Sequence, residues 1–263
     1  MKLTFGFTPC PNDAFAFHAL VHGLVPAGFE VEPVLLDIEE LNRHAARAEL
    51  QLTKLSFGAA AAAGDRYRLL RSGAALGRGV GPLVVAREPS SLEEATAGRI
   101  AVPGRETTAC LLLRLAAPSL GEVVELRYDR ILDAVVAGEV DSGLIIHESR
   151  FTYGEHGLVA VADLGEWWEG ETALPVPLAG IFARTDLEPE IVDEAQAAIR
   201  ASVEYAFAHP EASHDYVRSL SKEMSDDVCA AHIALYVNEH SVDIGNEGLT
   251  AIDRLLGRSA AAA

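Results

Sequence analysis

Ser142-Gly143-Leu144-Ile145-Ile146-His147-Glu148-Ser149-Arg150 is the stretch around which the chain is organised. Gly143 to Ile146 is a short apolar run of the kind that forms a buried strand, and the polar cluster His147 to Arg150 follows it directly. His147 therefore stands where a strand ends. In open α/β sheets ligands gather outside the carboxyl ends of the strands, and an imidazole there can exchange protons near neutral pH. His147 is thus the candidate general base, set against the plainer reading of a surface or satisfied core histidine. Burial would lower its pKa, Glu148 or another nearby carboxylate would raise it, and the residue order leaves that contest open.

Composition sets the class. The 263 residues are 49% hydrophobic and 23% charged, enough for two lobes of roughly 100–150 residues each. A formal charge of −18 repels phosphate backbones and anionic lipid, and Lys and Arg form no local patch, so nucleic acid and membranes are not expected partners. Cys10, Cys110 and Cys229 are far apart and odd in number, which disfavours disulfides and a zinc knuckle. The N-terminal segment lacks the apolar core of a signal peptide, and no run reaches the ~18 apolar residues of a membrane span. A cytoplasmic protein is expected.

Outward from the central stretch, strand–turn–helix units recur. Leu3 to Phe7 reads as a first strand, Thr8 to Asp13 as a rigid turn containing Pro9 and Pro11, and Ala14 to Leu20 as a helix capped by Asn12 or Asp13. Leu50 to Ser56 alternates with period two and places Lys54 and Ser56 on one face, where a cation and a hydroxyl suit a carboxylate or polyol. An exposed strand edge is the alternative. The Gly77-Arg78-Gly79-Val80-Gly81 run resembles a dinucleotide loop only in spacing, because no helix follows it; it reads as a flexible crossing. Arg99 to Val102 is a strand, and Thr107 or Thr108 caps the helix after it, leaving free N–H groups that could receive a carboxylate or could simply be an ordinary capped start. Beyond Glu188 the pattern is helical as far as Leu256, with Ser259 to Ala263 as a frayed tail.

This alternation predicts an α/β fold of two lobes facing across a ligand cleft. Residues 1–87 together with the returning 180–263 form the larger, discontinuous lobe, and 88–179 the smaller one, with a hinge that closes on the ligand.

Several segments carry a more specific likeness: Thr8-Pro9-Cys10-Pro11-Asn12-Asp13-Ala14-Phe15, Thr53 to Ser56, Gly77 to Pro82, Val102 to Arg105 with Thr107-Thr108, Gly138-Glu139-Val140, Gly143 to Glu148 and Leu174 to Leu178. Together, and in this order, they resemble the 1,4-dihydroxy-6-naphthoate synthase family of the futalosine route to menaquinone. The resemblance implies a type II periplasmic-binding-protein-like fold used for catalysis. It implies a lyase that converts cyclic dehypoxanthinylfutalosine to 1,4-dihydroxy-6-naphthoate and releases dihydroxyacetone, without metal or organic cofactor. It makes His147 the base, lines the substrate site with Lys54, Leu55, Ser56, Thr108 and Ala109, and sets Cys10 and Asn42 beside it. Ala14 departs from the Thr that many relatives carry.

A small-molecule carboxylate substrate is therefore expected, in a monomer or homodimer. Its carboxylate is expected at the Thr108 hydroxyl and the N–H groups of Thr108 and Ala109. A nucleophilic triad fits poorly, since there is no Gly-x-Ser-x-Gly elbow and Cys10 has no evident basic neighbour in sequence. Two other readings stand beside the lyase: a chorismate dehydratase of the same pathway, and a non-catalytic small-anion binding protein.

Overall fold

Period-two apolar runs punctuated by Pro and Gly become two β-sheets in the computed structural model, which describes residues 1–221 and 225–262. The strands are β1 Lys2–Phe7, β2 Glu30–Leu35, β3 Leu52–Ser56, β4 Tyr67–Leu69, β5 Ala75–Gly77, β6 Leu83–Ala86, β7 Arg99–Val102, β8 Glu122–Glu125, β9 Ser142–Ile145, β10 Val159–Asp163 and β11 Val176–Arg184. The first sheet runs β2-β1-β3-β11-β4, with β5 also on β11; the second runs β10-β6-β9-β7-β8. β1 is parallel to β2 and β3, which requires the crossover helices Pro11–Val21 and Ile38–Ala46 on its faces. β11 returns antiparallel to β3, pairing Gly180 with Leu55 and Ile181 with Lys54.

The chain changes sheets twice, between β5 and β6 and between β10 and β11. The divisions expected at 87/88 and 179/180 therefore differ from the sheet membership. Leu83 to Ala86 pair with β9 and β10 in the second sheet, and Val176 to Ala179 already belong to the first. The physical reason is the apolar character of Leu83 to Ala86, which buries it in the ladder and leaves the glycine run before Pro82 as the crossing.

One apolar cluster seals the first sheet. Phe5, Phe7 and Phe17 contact one another at ring distances of 5.0–5.5 Å, under the helices Pro11–Val21 and Pro189–Ala208. Buried Ser202 ties those helices together, accepting from Leu20 N at 3.1 Å and donating to Ala16 O at 2.7 Å. A second cluster is continuous from Leu55 and Phe182 of the first sheet, with Phe57 just after β3, to Val84, Val102 and Leu144 of the second, with Trp168 on helix Leu164–Thr172. The C-terminal helices pack against β5 and β11 of the first sheet, and helix Gly245–Ala262 extends through most of the expected tail, with Ala263 outside the described residues.

β9, the strand that leads to His147, owes its position to Gly143. A Cβ there would lie 2.5 Å from Ile131 Cγ2 and 2.9 Å from Val135 Cγ2, so only glycine lets helix Ile131–Val136 sit directly on the strand. Gly143→Ala should overpack this contact and lower stability by about 1–3 kcal/mol in urea denaturation. An unchanged midpoint would show that the helix shifts freely.

Candidate active site

Asp13 is the hub of the site. The helix that carries it begins at Pro11, with Cys10 at the N-cap and no side-chain cap, because proline's fixed φ and missing N–H suit the first helical position. Asn12 and Asp13, expected to cap, lie instead in the first turn with their side chains turned to other partners. Asp13 Oδ2 accepts from Thr8 N at 3.0 Å and Thr8 Oγ1 at 2.6 Å; Oδ1 accepts from Asn12 Nδ2 at 3.0 Å and forms an ion pair with Lys54 Nζ. The Lys54 and Asp13 side chains are only 4% and 3% exposed. Lys54 thus lines the pocket with its charge already compensated.

His147 lies just beyond the end of β9, as the apolar run predicted, with a left-handed φ of 57°. For a non-glycine residue that conformation is uncommon and costs about 1–2 kcal/mol. Its Nδ1 lies 3.5 Å from Cys10 Sγ, and Tyr128 stands edge-on to the ring at 4.9 Å. Burial, followed by the Lys54 ammonium, pushes the imidazole pKa down to about 4, so the ring is neutral at pH 7. Burial therefore outweighs the carboxylates that raise it, Asp13 and Asp37. Burial and the carboxylates of Glu148 and Asp13 push the Cys10 thiol well above its ordinary value, so Cys10 stays protonated and is a poor nucleophile. Cys10 Sγ, a His147 ring nitrogen and a Glu148 oxygen lie within 4.8 Å of one another. A cation there would require the thiolate that this environment disfavours.

Thr107 caps helix Thr108–Ala116 by accepting from Cys110 N at 3.1 Å. That leaves the N–H groups of Thr108 and Ala109 without intrahelical carbonyls, at the positive end of the helix dipole and on the pocket wall. The Thr108 hydroxyl is otherwise committed. It donates to Leu178 O at 2.6 Å and accepts from Gly58 N at 3.0 Å, joining the two sheets' segments. Its single proton is spent, so the expected donation from this hydroxyl to a carboxylate is not available in this arrangement, whereas the backbone donors are. Gly58 permits the approach, since a Cβ would meet Thr107 O at 2.9 Å.

Ser56 lines the pocket, and Asn42 stands behind it, accepting from Ser56 N at 3.0 Å and donating to Ser56 Oγ at 3.2 Å. Glu39 continues the link toward the second sheet by accepting from Asn42 Nδ2 at 3.2 Å and Glu106 N at 3.4 Å, beside the Arg43–Glu125 ion pair. Leu55 points away from its two neighbours into the apolar core and is fully buried there, so it offers the site only its backbone.

These groups surround a pocket of about 590 Å³, open solvent at its mouth included. Lys54, Ser56, Thr108, Ala109 and His147 line it; Cys10 and Asn42 stand one layer behind. Thr8, Asn12, His232 and Tyr236 are among the lining residues that the sequence did not place in the site. The i, i+4 spacing of His232 and Tyr236 was the available signal for one face of a helix aimed inward.

A family model described as menaquinone biosynthesis matches residues 3–261. The 1,4-dihydroxy-6-naphthoate synthase of Thermus thermophilus is 55% identical over 259 residues, covering 98% of this chain and 94% of that protein. The enzyme of the same name from Streptomyces coelicolor is 44% identical over 264 residues, covering 98% and 93%. The crystal structure of protein AF1704 from Archaeoglobus fulgidus superposes with a TM-score of 0.94 at 40% identity, covering 99% of this chain and 97% of that one. The Candida albicans CA3427 product, described as having the generic periplasmic binding protein fold, gives a TM-score of 0.70 at 14% identity, covering 99% and 90%; this is a likeness of fold alone.

Breaking the buried pair from one side strands a charge. Asp13→Asn should destabilise the fold by about 3–5 kcal/mol, while adding Lys54→Met should recover most of that loss. Equal instability of the single and double variants in urea denaturation would show that the pair is not the hub.

Proposed function

The chain belongs to the menaquinone biosynthesis family, and from that membership we propose that it converts cyclic dehypoxanthinylfutalosine to 1,4-dihydroxy-6-naphthoate with release of dihydroxyacetone, using no metal or organic cofactor. The observation that carries the reading is a neutral imidazole held at a strand end inside the pocket, opposite two uncommitted N–H groups at a helix start. Cleavage of a carbon–carbon bond followed by aromatisation needs a group to remove a proton and donors to steady the negative charge that develops.

His147 is the base. Its pKa is lowered chiefly by burial and then by Lys54, so the ring is ready to accept a proton at physiological pH. The substrate carboxylate docks on the N–H groups of Thr108 and Ala109, whose dipole offsets its charge without a side-chain cation. Lys54 acts through the field it places on His147, and Ser56, held by Asn42, offers a hydroxyl to the polyol end. The chain wraps one small-molecule ligand between two lobes, one around each sheet. The Thr108 hydroxyl and Glu39 hold the lobes together, and water is excluded when they meet. Among the described residues no helix is long and apolar enough to cross a membrane.

The test is turnover by the purified chain with chelator present. Equimolar 1,4-dihydroxy-6-naphthoate and dihydroxyacetone are expected from the cyclic futalosine, and consumption of chorismate in their place would overturn the assignment. His147→Ala should lower kcat by about 10²–10⁴ with ligand affinity in calorimetry little changed. The base works only when neutral and its pKa is depressed, so kcat/KM should hold level as pH falls through about 6.5 and decline only well below it. An acid limb at the ordinary imidazole value would exclude His147 as this base.

A further inference from the structure

One buried imidazole remains unused by this chemistry. His232, on helix Asp226–Tyr236, is 1% exposed and lines the same pocket as His147. The two rings are stacked, with centroids 6.2 Å apart and planes inclined by 13°.

Its protonation pattern follows from its partners. Asn12 Nδ2 donates to Asp13 Oδ1 at 3.0 Å, which orients the amide so that Asn12 Oδ1 faces His232 Nε2 at 3.1 Å. An amide oxygen only accepts, so Nε2 carries the proton and Nδ1 of the neutral ring is a bare lone pair. No group among the described residues reaches Nδ1, and the atom itself is buried. A buried acceptor left without a donor is costly and uncommon in a folded protein, and because His232 lines the pocket, a ligand seated there is the donor the site can offer it. Burial, His147 and Lys54 all hold the ring well below its ordinary pKa, while the Asp13 carboxylate is taken up by Lys54, Thr8 and Asn12. The lone pair is therefore kept free of solvent protons.

We propose that His232 Nδ1 accepts a hydrogen bond from a hydroxyl of the bound ligand and so selects for hydroxylated rings. This rests on the reaction proposed above for the identity of the ligand: the product 1,4-dihydroxy-6-naphthoate offers two phenolic donors. The carboxylate and the aromatic body bind on other elements, so His232 decides between ligands that share both and differ in hydroxyls. It is a specificity-determining residue, whereas His147 performs the proton abstraction.

The test uses calorimetry under anaerobic conditions with two ligands, 1,4-dihydroxy-6-naphthoate and the hydroxyl-free 2-naphthoate. His232→Gln places an amide where Nε2 donates to Asn12 and removes the acceptor at Nδ1, so the structural bond survives and the proposed one does not. Wild type should prefer the dihydroxy ligand, and the variant should lose about tenfold of that preference with 2-naphthoate affinity little changed. An equal preference in both proteins, or an equal loss of affinity for both ligands, would overturn the role of His232. Failure of the wild type to bind the dihydroxy ligand would overturn the proposed reaction and this inference with it. Should the variant not fold, ¹⁵N spectra of wild-type histidines decide: the His232 Nδ1 signal should move toward the hydrogen-bonded position on adding the dihydroxy ligand and stay in place with 2-naphthoate. A signal indifferent to both would overturn the inference.

Discussion

The site depends on one ion pair taken out of water. Moving a carboxylate and an ammonium into a protein interior costs several kcal/mol per ion, and their attraction offsets that only with further hydrogen bonds in good geometry. Asp13 has those bonds, from Thr8 twice and from Asn12, and they join the end of β1 to the first turn of the next helix. Two functional consequences follow from the same contacts. Lys54, held in place, adds to the burial that keeps His147 neutral, and Asn12, oriented by Asp13, fixes which nitrogen of His232 bears its proton. Asp13 thus positions the groups beside both imidazoles, although its own carboxylate acts on His147 in the opposite direction and raises its pKa.

The second constraint is that the site is divided between two sheets. His147 comes from the segment after β9 and the helix N–H groups from the segment after β7, whereas Lys54 and Ser56 come from β3 of the other sheet. Each set alone is an open shelf. The bonds from Thr108 to Gly58 and Leu178, and the approach of Glu39 to Glu106, bring the shelves together over the pocket. The binding-protein-like fold supplies this geometry, and the chemistry comes from what lines the seam.

Local signals in the sequence reached most of the architecture. The apolar run at Gly143 to Ile146 located the strand before His147, and the cap at Thr107 or Thr108 located the helix start, because both are set by neighbours in the chain. The division at Arg87 was misplaced since a short buried strand, Leu83 to Ala86, carries no mark of which sheet it will join. Asn12 and Asp13 resembled caps because their type and position suit capping; only tertiary partners in β3 and the C-terminal helices redirect them. His232 stayed hidden for the same reason, being more than 200 residues from the asparagine it contacts. Leu55 was placed in the site by resemblance, and the pleat of β3 turns its side chain to the core.

The most direct test is a crystal structure with 1,4-dihydroxy-6-naphthoate bound. The expected complex has the ligand between the two sheets, its carboxylate on the N–H groups of Thr108 and Ala109, and its hydroxylated ring against His147. A ligand bound outside this seam, or one whose carboxylate displaces Asp13 from Lys54 and leaves the helix start empty, would contradict it.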